Sequence, residues 1–258
     1  MTALVTGGGR GIGRGIALGL ARAGWNVAVA ARSEEQLRET VSLAGARAMA
    51  FAADLSDPSS VTALARKVEG ELGSVDQLVN NAAMGGQFQP FWDSDPLLWW
   101  RCQELNVRAP MLLCRELLPG MIARRSGRII NVVSGAGCQA YPDMSAYVVS
   151  KTALVRLSEQ LALELKPHGI SVFPIRPGIV RTAMVEEARR RLPYIQKMLD
   201  DGLEVTPDVV AQLVVTLASG VADSLSGRLF SVGDDVAAMV QRAGEIIAQD
   251  YGVLRARA

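Results

Sequence analysis

Short apolar runs alternate along the chain with longer stretches in which apolar residues return every third or fourth position. The runs lie at residues 2–6, 26–31, 47–52, 77–80, 128–133, 170–175 and 228–232; the composition of 128–133 suits a strand buried on both faces, and 170–175 reads as a further buried strand. Between them, Ile16, Ala17, Leu20 and Ala23 stripe a helix over 12–23, with Gly24 as its C-cap. Val61, Leu64, Ala65, Val68 and Leu72 stripe another over 58–72, where Ser56 or Asp57 before Pro58 supplies the cap. Further helices are predicted over 34–43, roughly 96–123, 145–165 and from Thr206-Pro207-Asp208 to Ala218. Seven strands alternating with helices predict an α/β chain with a parallel, doubly wound sheet and right-handed crossovers. No linker or repeat divides residues 1–258, so one domain is expected. The segment 182–204 is the least regular; it suits either a flap over a site or a surface helical pair that never opens. The tail, 234–258, is expected to contain a helix that packs on this chain or on a partner.

The candidate chemistry collects where strands end. The run 128–133 delivers Ser134, and the following helix carries Tyr147 and Lys151, four apart and so on one face. A neighbouring ammonium favours phenolate and lowers a tyrosine toward working pH, which makes it a usable proton donor and acceptor. A hydroxyl from Ser134 can steady an oxygen on which charge develops. By itself Tyr-x-x-x-Lys is better read as a tyrosine packed between helices and a solvated lysine. The N-terminal end of the chain changes that weighing. There Gly7-Gly8-Gly9-Arg10-Gly11-Ile12-Gly13 joins a strand to a helix, the arrangement that lets backbone approach a pyrophosphate at a helix's positive end.

The second strand ends in Ala31-Arg32 where NAD-binding chains place an acid; Arg32 and Arg10 suit a 2′-phosphate, so NADP(H) is favoured over NAD(H). Asp54 suits an adenine amino group or, equally, a turn cap. Asn80 and Asn81 sit at a strand end, where amides tie loops together, and Asn106 is polar amid an apolar helix and needs a partner. Phe88, Phe91, Trp92, Trp99 and Trp100 either pack the next helix or wall a substrate pocket; packing is favoured for Trp99 and Trp100, and Trp92 is open. His168, in a Lys-Pro-His-Gly turn, is a poor candidate for catalysis or metal binding.

Composition narrows the partners. A 258-residue chain that is 49% hydrophobic and 21% charged describes an ordinary globule with a substantial core. A net charge of +1 gives no reason to expect nucleic acid or an anionic membrane. Cys102, Cys114 and Cys138 are scattered, so neither disulfides nor a metal site is expected. Met1 leads straight into a strand and no apolar run reaches the roughly 18 residues of a membrane span. A cytoplasmic setting is expected.

Taken together, Thr6-Gly7-x3-Gly11-x-Gly13, Asn80-Asn81-Ala82, Asn106, Ser134 thirteen positions before Tyr147-x3-Lys151, and Pro177-Gly178 resemble the short-chain dehydrogenase/reductase family over almost the full chain. The resemblance implies a Rossmann-type seven-stranded sheet and NADPH-dependent hydride transfer between nicotinamide and a carbonyl or secondary alcohol. It implies that Tyr147 is the acid/base, that Lys151 holds the nicotinamide ribose, that Ser134 binds the substrate oxygen and that Asn106 positions a relay water. It further implies cofactor contacts from Gly7, Arg10, Gly11, Ile12, Gly13, Arg32, Asp54, Leu55, Asn80, Ala82, Tyr147, Lys151, Pro177, Gly178, Val180 and Thr182, the last at the carboxamide. A homotetramer or homodimer joined through the Asn106 and Tyr147 helices is the implied assembly. Ala83 departs from the family's usual glycine, and Val232-Gly233-Asp234-Asp235 from its usual Asp-Gly-Gly. The aromatic loop and the Met-bearing flap hint at an apolar or cyclic substrate. A catalytically silent NADP-binding regulator, or a lyase or isomerase on the same scaffold, are the alternatives; an intact Asn106, Ser134, Tyr147 and Lys151 set argues against the first.

Overall fold

The structure, a computed structural model, describes residues 1–255. The apolar runs form β1 (Thr2–Thr6), β2 (Asn26–Ala31), β3 (Ala48–Ala52), β4 (Gln77–Asn80), β5 (Gly127–Val132), β6 (Ile170–Arg176) and β7 (Phe230–Ser231). All pair in parallel, in the order β3-β2-β1-β4-β5-β6-β7. The order reverses between β1 and β4, and a sheet of this kind leaves its crevice at the strands' C-terminal ends there.

Helices cover both faces. On one, α1 (Gly11–Arg22), α2 (Glu34–Ala44) and α9 (Pro207–Ala218) bury Ile16, Leu20, Leu37, Val210, Val214 and Leu217 against Val5, Val29 and Ile175. On the other, α3 (Pro58–Leu72), α5 (Ala109–Arg124) and α6 (Ser145–Leu165) bury Val61, Leu64, Leu113, Leu117 and Leu165 against Leu4, Leu78 and Ile129. Asp57 rather than Ser56 caps α3, accepting from Ser59 N. No helix among the described residues is long and apolar enough to cross a membrane.

Three regions differ from expectation. The helix expected over 96–123 is divided into α4 (Pro96–Gln103), a π-helical turn over Glu104–Arg108, and α5. Asn106 lies in the widened turn, fully buried, with its amide committed to groups outside the helix. The seventh strand is shorter than 228–232, because Arg228 N donates to Leu225 O and Leu229 N to Gly252 O instead of joining the ladder. The segment 182–204 holds α7 (Ala183–Ala188) and α8 (Pro193–Asp200), and the tail holds α10 (Val236–Gln241) and α11 (Ala243–Ala248) rather than one helix. Residues 256–258 of the tail lie outside the described residues.

The glycine turn after β1 is dictated by contact. Gly7 adopts φ +64°, and a Cβ there would lie 2.9 Å from Ala82 Cα; on Gly13 it would overlap the Gly7 carbonyl oxygen and Asn81 Nδ2. Gly13→Ala is therefore expected to destabilise the fold by about 1–3 kcal/mol. The check is the urea-unfolding free energy, and an unchanged value would show that the turn can shift to admit a methyl group.

Candidate active site

A cleft of about 1330 Å³ opens along the C-terminal strand ends, lined by Arg32 and Asp54 toward one end and by Tyr147 and Tyr194 toward the other. It exceeds the ~300–1,000 Å³ usual for one small ligand, as a dinucleotide with a second reactant requires. At its base Thr6 Oγ1 accepts from Asn81 N and Ala82 N at 2.9 and 3.0 Å, stitching the β1 and β4 loops together. The outward carbonyls of the glycine turn are taken up elsewhere: Gly9 O accepts from Arg14 Nε at 3.0 Å and Gly8 O from Thr40 Oγ1 at 3.0 Å. The Thr40 partner was not legible in the sequence, since it lies on the next helix. The start of α1 has no side-chain cap and no acid in its first turn, leaving orphan N–H groups and the positive helix end for an anion.

Arg10 and Arg32 are exposed, line the cleft and form no carboxylate pair among the described residues. Arg101, from α4, joins them at the Asp54 end; sequence reasoning missed it because only the fold brings α4 beside the loop after β3. For Asp54 the structure favours the turn-capping alternative. Its Oδ1 accepts from Ser56 N at 3.0 Å and Ser56 Oγ at 2.7 Å, which hold the carboxyl below its ordinary range, helped by Arg32 and Arg101. Gly7, Gly11, Ile12, Gly13, Leu55, Ala82, Pro177, Gly178, Val180 and Thr182 also line the cleft. A donor set of unpaired guanidiniums, orphan helix N–H groups and a glycine cradle fits a phosphorylated dinucleotide.

Ser134, Tyr147 and Lys151 meet in the same cleft. Lys151 is 2% exposed; its Nζ donates to Val132 O at 2.8 Å and lies 5.7 Å from the Tyr147 ring centroid. The expected direction of the tyrosine shift is reversed among the chain's own groups. Burial pushes the Tyr147 phenol up to about 12, the Ser134 hydroxyl draws it down by hydrogen bonding, and buried Cys102 adds to the upward push. Burial likewise pulls Lys151 down to about 8, with Cys102 opposing. The lysine's nearest partner is a backbone carbonyl rather than the phenol, so it offers the phenolate little compensation for lost water.

Two expected site residues point elsewhere. Asn80 is buried below the cleft, where Nδ2 donates to Asn131 Oδ1 at 2.8 Å; it is Asn81, bonded to Thr6 O at 2.8 Å, that lines the cleft. Asn106 does not line the cleft either. Its Oδ1 accepts from Met84 N, and its Nδ2 donates to Met84 O and to Ser150 Oγ, all at 2.9 Å, which uses both amide hydrogens. Ser150 Oγ in turn donates to Tyr147 O at 2.8 Å, so Asn106 positions the Tyr147 helix and the Met84 loop, and its side chain has no hydrogen left for a relay water. Of the tryptophans, Trp99 packs, its Nε1 donating to Ser145 Oγ at 3.1 Å, whereas Trp92 and Trp100 are 82% and 64% exposed and wall nothing. Phe88 is the aromatic of that stretch which reaches the cleft.

A family model described as short chain dehydrogenase matches residues 1–193. A short chain dehydrogenase of Pseudocercospora fijiensis is 40% identical over 188 residues, covering 71% of this chain and 60% of that protein. The 2-(S)-hydroxypropyl-CoM dehydrogenase 3 of Xanthobacter autotrophicus is 33% identical over 250 residues, covering 91% of this chain and 96% of that protein. Among solved structures, a metagenomic short-chain oxidoreductase in complex with NADP superposes with a TM-score of 0.72 at 35% identity, covering 85% of this chain and 90% of that one.

The Lys151 shift fixes the sign of one pH effect. Its folded value of about 8 lies below the 10.5 of a free lysine, so between these values the unfolded chain binds a proton that the folded chain does not. That contribution makes stability rise with pH from about 8 to 10.5. Urea-unfolding free energies across this window should climb in the wild type relative to Lys151→Met. Parallel profiles would mean that burial does not depress this lysine.

Proposed function

The chain belongs to the short-chain dehydrogenase/reductase family, and from that membership we propose an NADPH-dependent oxidoreductase that acts on a carbonyl or secondary alcohol, with Tyr147 as its acid/base. A dehydrogenase or reductase activity is what the family supports. One observation carries the finer reading: Ser134, Tyr147 and Lys151 share a single cleft with an uncapped helix start and unpaired arginines.

When bound, the nicotinamide dinucleotide supplies or accepts the hydride. The orphan N–H groups at the start of α1 hold its pyrophosphate, and Arg32, with Arg10 and Arg101, holds the 2′-phosphate. Lys151 spends one N–H on Val132 O and keeps two for ribose hydroxyls. Ser134 Oγ hydrogen-bonds the substrate oxygen, and the Tyr147 hydroxyl transfers its proton to that oxygen as negative charge develops there. A phenol at about 12 stays protonated near neutrality, which favours carbonyl reduction; the reverse reaction requires the phenolate. A cytoplasmic homodimer or homotetramer joined through α5 and α6 belongs to the same reading, supported by Met111 and Val149 exposed on those helices.

Tyr147→Phe is expected to lower kcat by roughly 10²–10⁴-fold while the Kd for NADPH, from its fluorescence, changes little. Turnover close to wild type in this variant would remove Tyr147 as the acid. Arg32→Ala is expected to weaken NADPH binding by roughly ten- to a hundredfold and to leave NADH binding nearly unchanged. Equal losses for both nucleotides would assign this arginine to something other than the 2′-phosphate.

A further inference from the structure

The half of the cleft around Tyr147 is built differently from the half around Arg32. Tyr147 packs in an apolar cluster with Phe88, Tyr141, Met144, Met184 and Tyr194. Thioethers and aromatic rings predominate over the branched aliphatic residues that fill the rest of the core. Tyr141, from the loop after β5, and Tyr194, from α8, stack with centroids 5.5 Å apart and planes 19° apart. Both line the cleft, as does Met198 one turn beyond Tyr194. Among the described residues the Tyr194 hydroxyl has only the Met144 sulfur as partner, at 2.8 Å, and a thioether is a weak acceptor. The Tyr141 hydroxyl accepts from Gln139 Nε2 and retains its own proton.

The charges that line this half are neutralised or turned aside. Arg181 Nε lies 3.2 Å from Glu204 and 3.9 Å from Glu186, and Glu186 is also paired with Arg189 at 2.6 Å. Arg176 donates to Ser231 Oγ at the β7 edge. Glu187 is exposed and has no ion-pair partner among the described residues, and the carboxylates Glu186, Glu187 and Glu204 match Arg176, Arg181 and Arg189 in number. An anionic substrate would meet the Glu187 carboxylate, and the one cation beside Tyr147, Lys151, is buried and already bonded to Val132 O. A neutral, flat π-system would meet thioethers and ring faces, both of which attract it.

Resting on the reductase reading above, we propose that the substrate is a neutral aryl ketone, or the matching benzylic alcohol, and that its ring lies against the Tyr141–Tyr194 stack while its oxygen faces Ser134 and Tyr147. In the reductive direction the carbonyl carbon gains hydride from NADPH and the oxygen gains the phenolic proton, leaving alcohol, NADP⁺ and a Tyr147 phenolate that takes its proton back from solvent. Tyr194 is a binding residue here, since it touches the substrate ring.

The test compares kcat/KM, with NADPH, for acetophenone, cyclohexyl methyl ketone and phenylglyoxylate, which vary the ring and the charge separately. Acetophenone is expected to exceed each of the others by tenfold or more. In Tyr194→Leu the acetophenone-to-cyclohexyl ratio should fall roughly two- to tenfold, the value of one aromatic contact. A wild-type enzyme that favours phenylglyoxylate or the saturated ketone overturns the substrate class while leaving the reductase reading intact. Loss of both neutral ketones in step, with the ratio unaltered, overturns the role of the stack. Should no ketone be reduced, saturation-transfer NMR on the enzyme–NADPH complex decides. Acetophenone bound but not reduced sinks the reductase reading, and with it a substrate proposal built on turnover; no binding sinks the substrate class alone.

Discussion

Buried hydrogen bonds fix the depth and rotation of α6, and everything at the reactive end of the cleft depends on them. Lys151 Nζ bonds Val132 O, Ser158 Oγ accepts from Asn131 Nδ2 at 2.8 Å, and Ser150 Oγ accepts from Asn106. All three ties are inside the protein, where a polar group without a partner costs about 1–3 kcal/mol. The helix therefore cannot slide by a turn or roll without losing several at once. Because Tyr147 rides on this helix, its distance from Ser134 is set by contacts that are not themselves chemical. Asn80, through Asn131, extends the same seam into β4.

The two ends of the cleft follow opposite electrostatic rules. Toward Asp54, the guanidiniums of Arg10, Arg32 and Arg101 stand in solvent and outnumber the one carboxylate there, and a helix start is left uncapped, so the protein offers positive charge to whatever arrives. Burial removes part of the water around Tyr147 and nearly all of it around Lys151, and both side chains are pushed toward their neutral forms. A single ligand spanning both would satisfy each end by a different means, phosphate at one and ribose hydroxyls at the other. The same exclusion of water that raises the phenol strengthens any hydrogen bond formed to a developing oxyanion beside it.

The segment over the reactive end is fastened at its base and at its far side. Ile179 and Glu204 form an isolated parallel bridge, with Val205 N donating to Ile179 O at 2.8 Å, so the two ends of the segment are drawn together. Leu192 and Ala188 are buried against Phe88 and Met144, and Tyr194 stacks on Tyr141. The segment is a helical pair with a packed underside, and it forms one wall of the cleft. The tail is fastened in another way: buried Glu159 accepts from Leu254 N at 2.6 Å, on the side of α6 that carries Val155 and Leu157.

The alternation of apolar runs with helical stripes determined the parallel sheet, because a strand buried on both faces has to be nearly all apolar and its crossover has to present one apolar side. The glycine turn was equally legible, since so close an approach of backbone to backbone admits no side chain. Tyr147, Lys151 and Ser134 were placed together by local spacing, four residues on a helix and one strand end. What local spacing does not contain is which way a polar residue faces when two layers compete for it. Asn80 turned into the core and Asn81 toward the cleft, Asn106 went to Met84 and Ser150, and Arg101 arrived beside Asp54 from another helix. The direction of the Tyr147 shift was likewise decided by the fold, because the loss of water around a buried phenol outweighs a cation that is itself buried and bonded to a carbonyl.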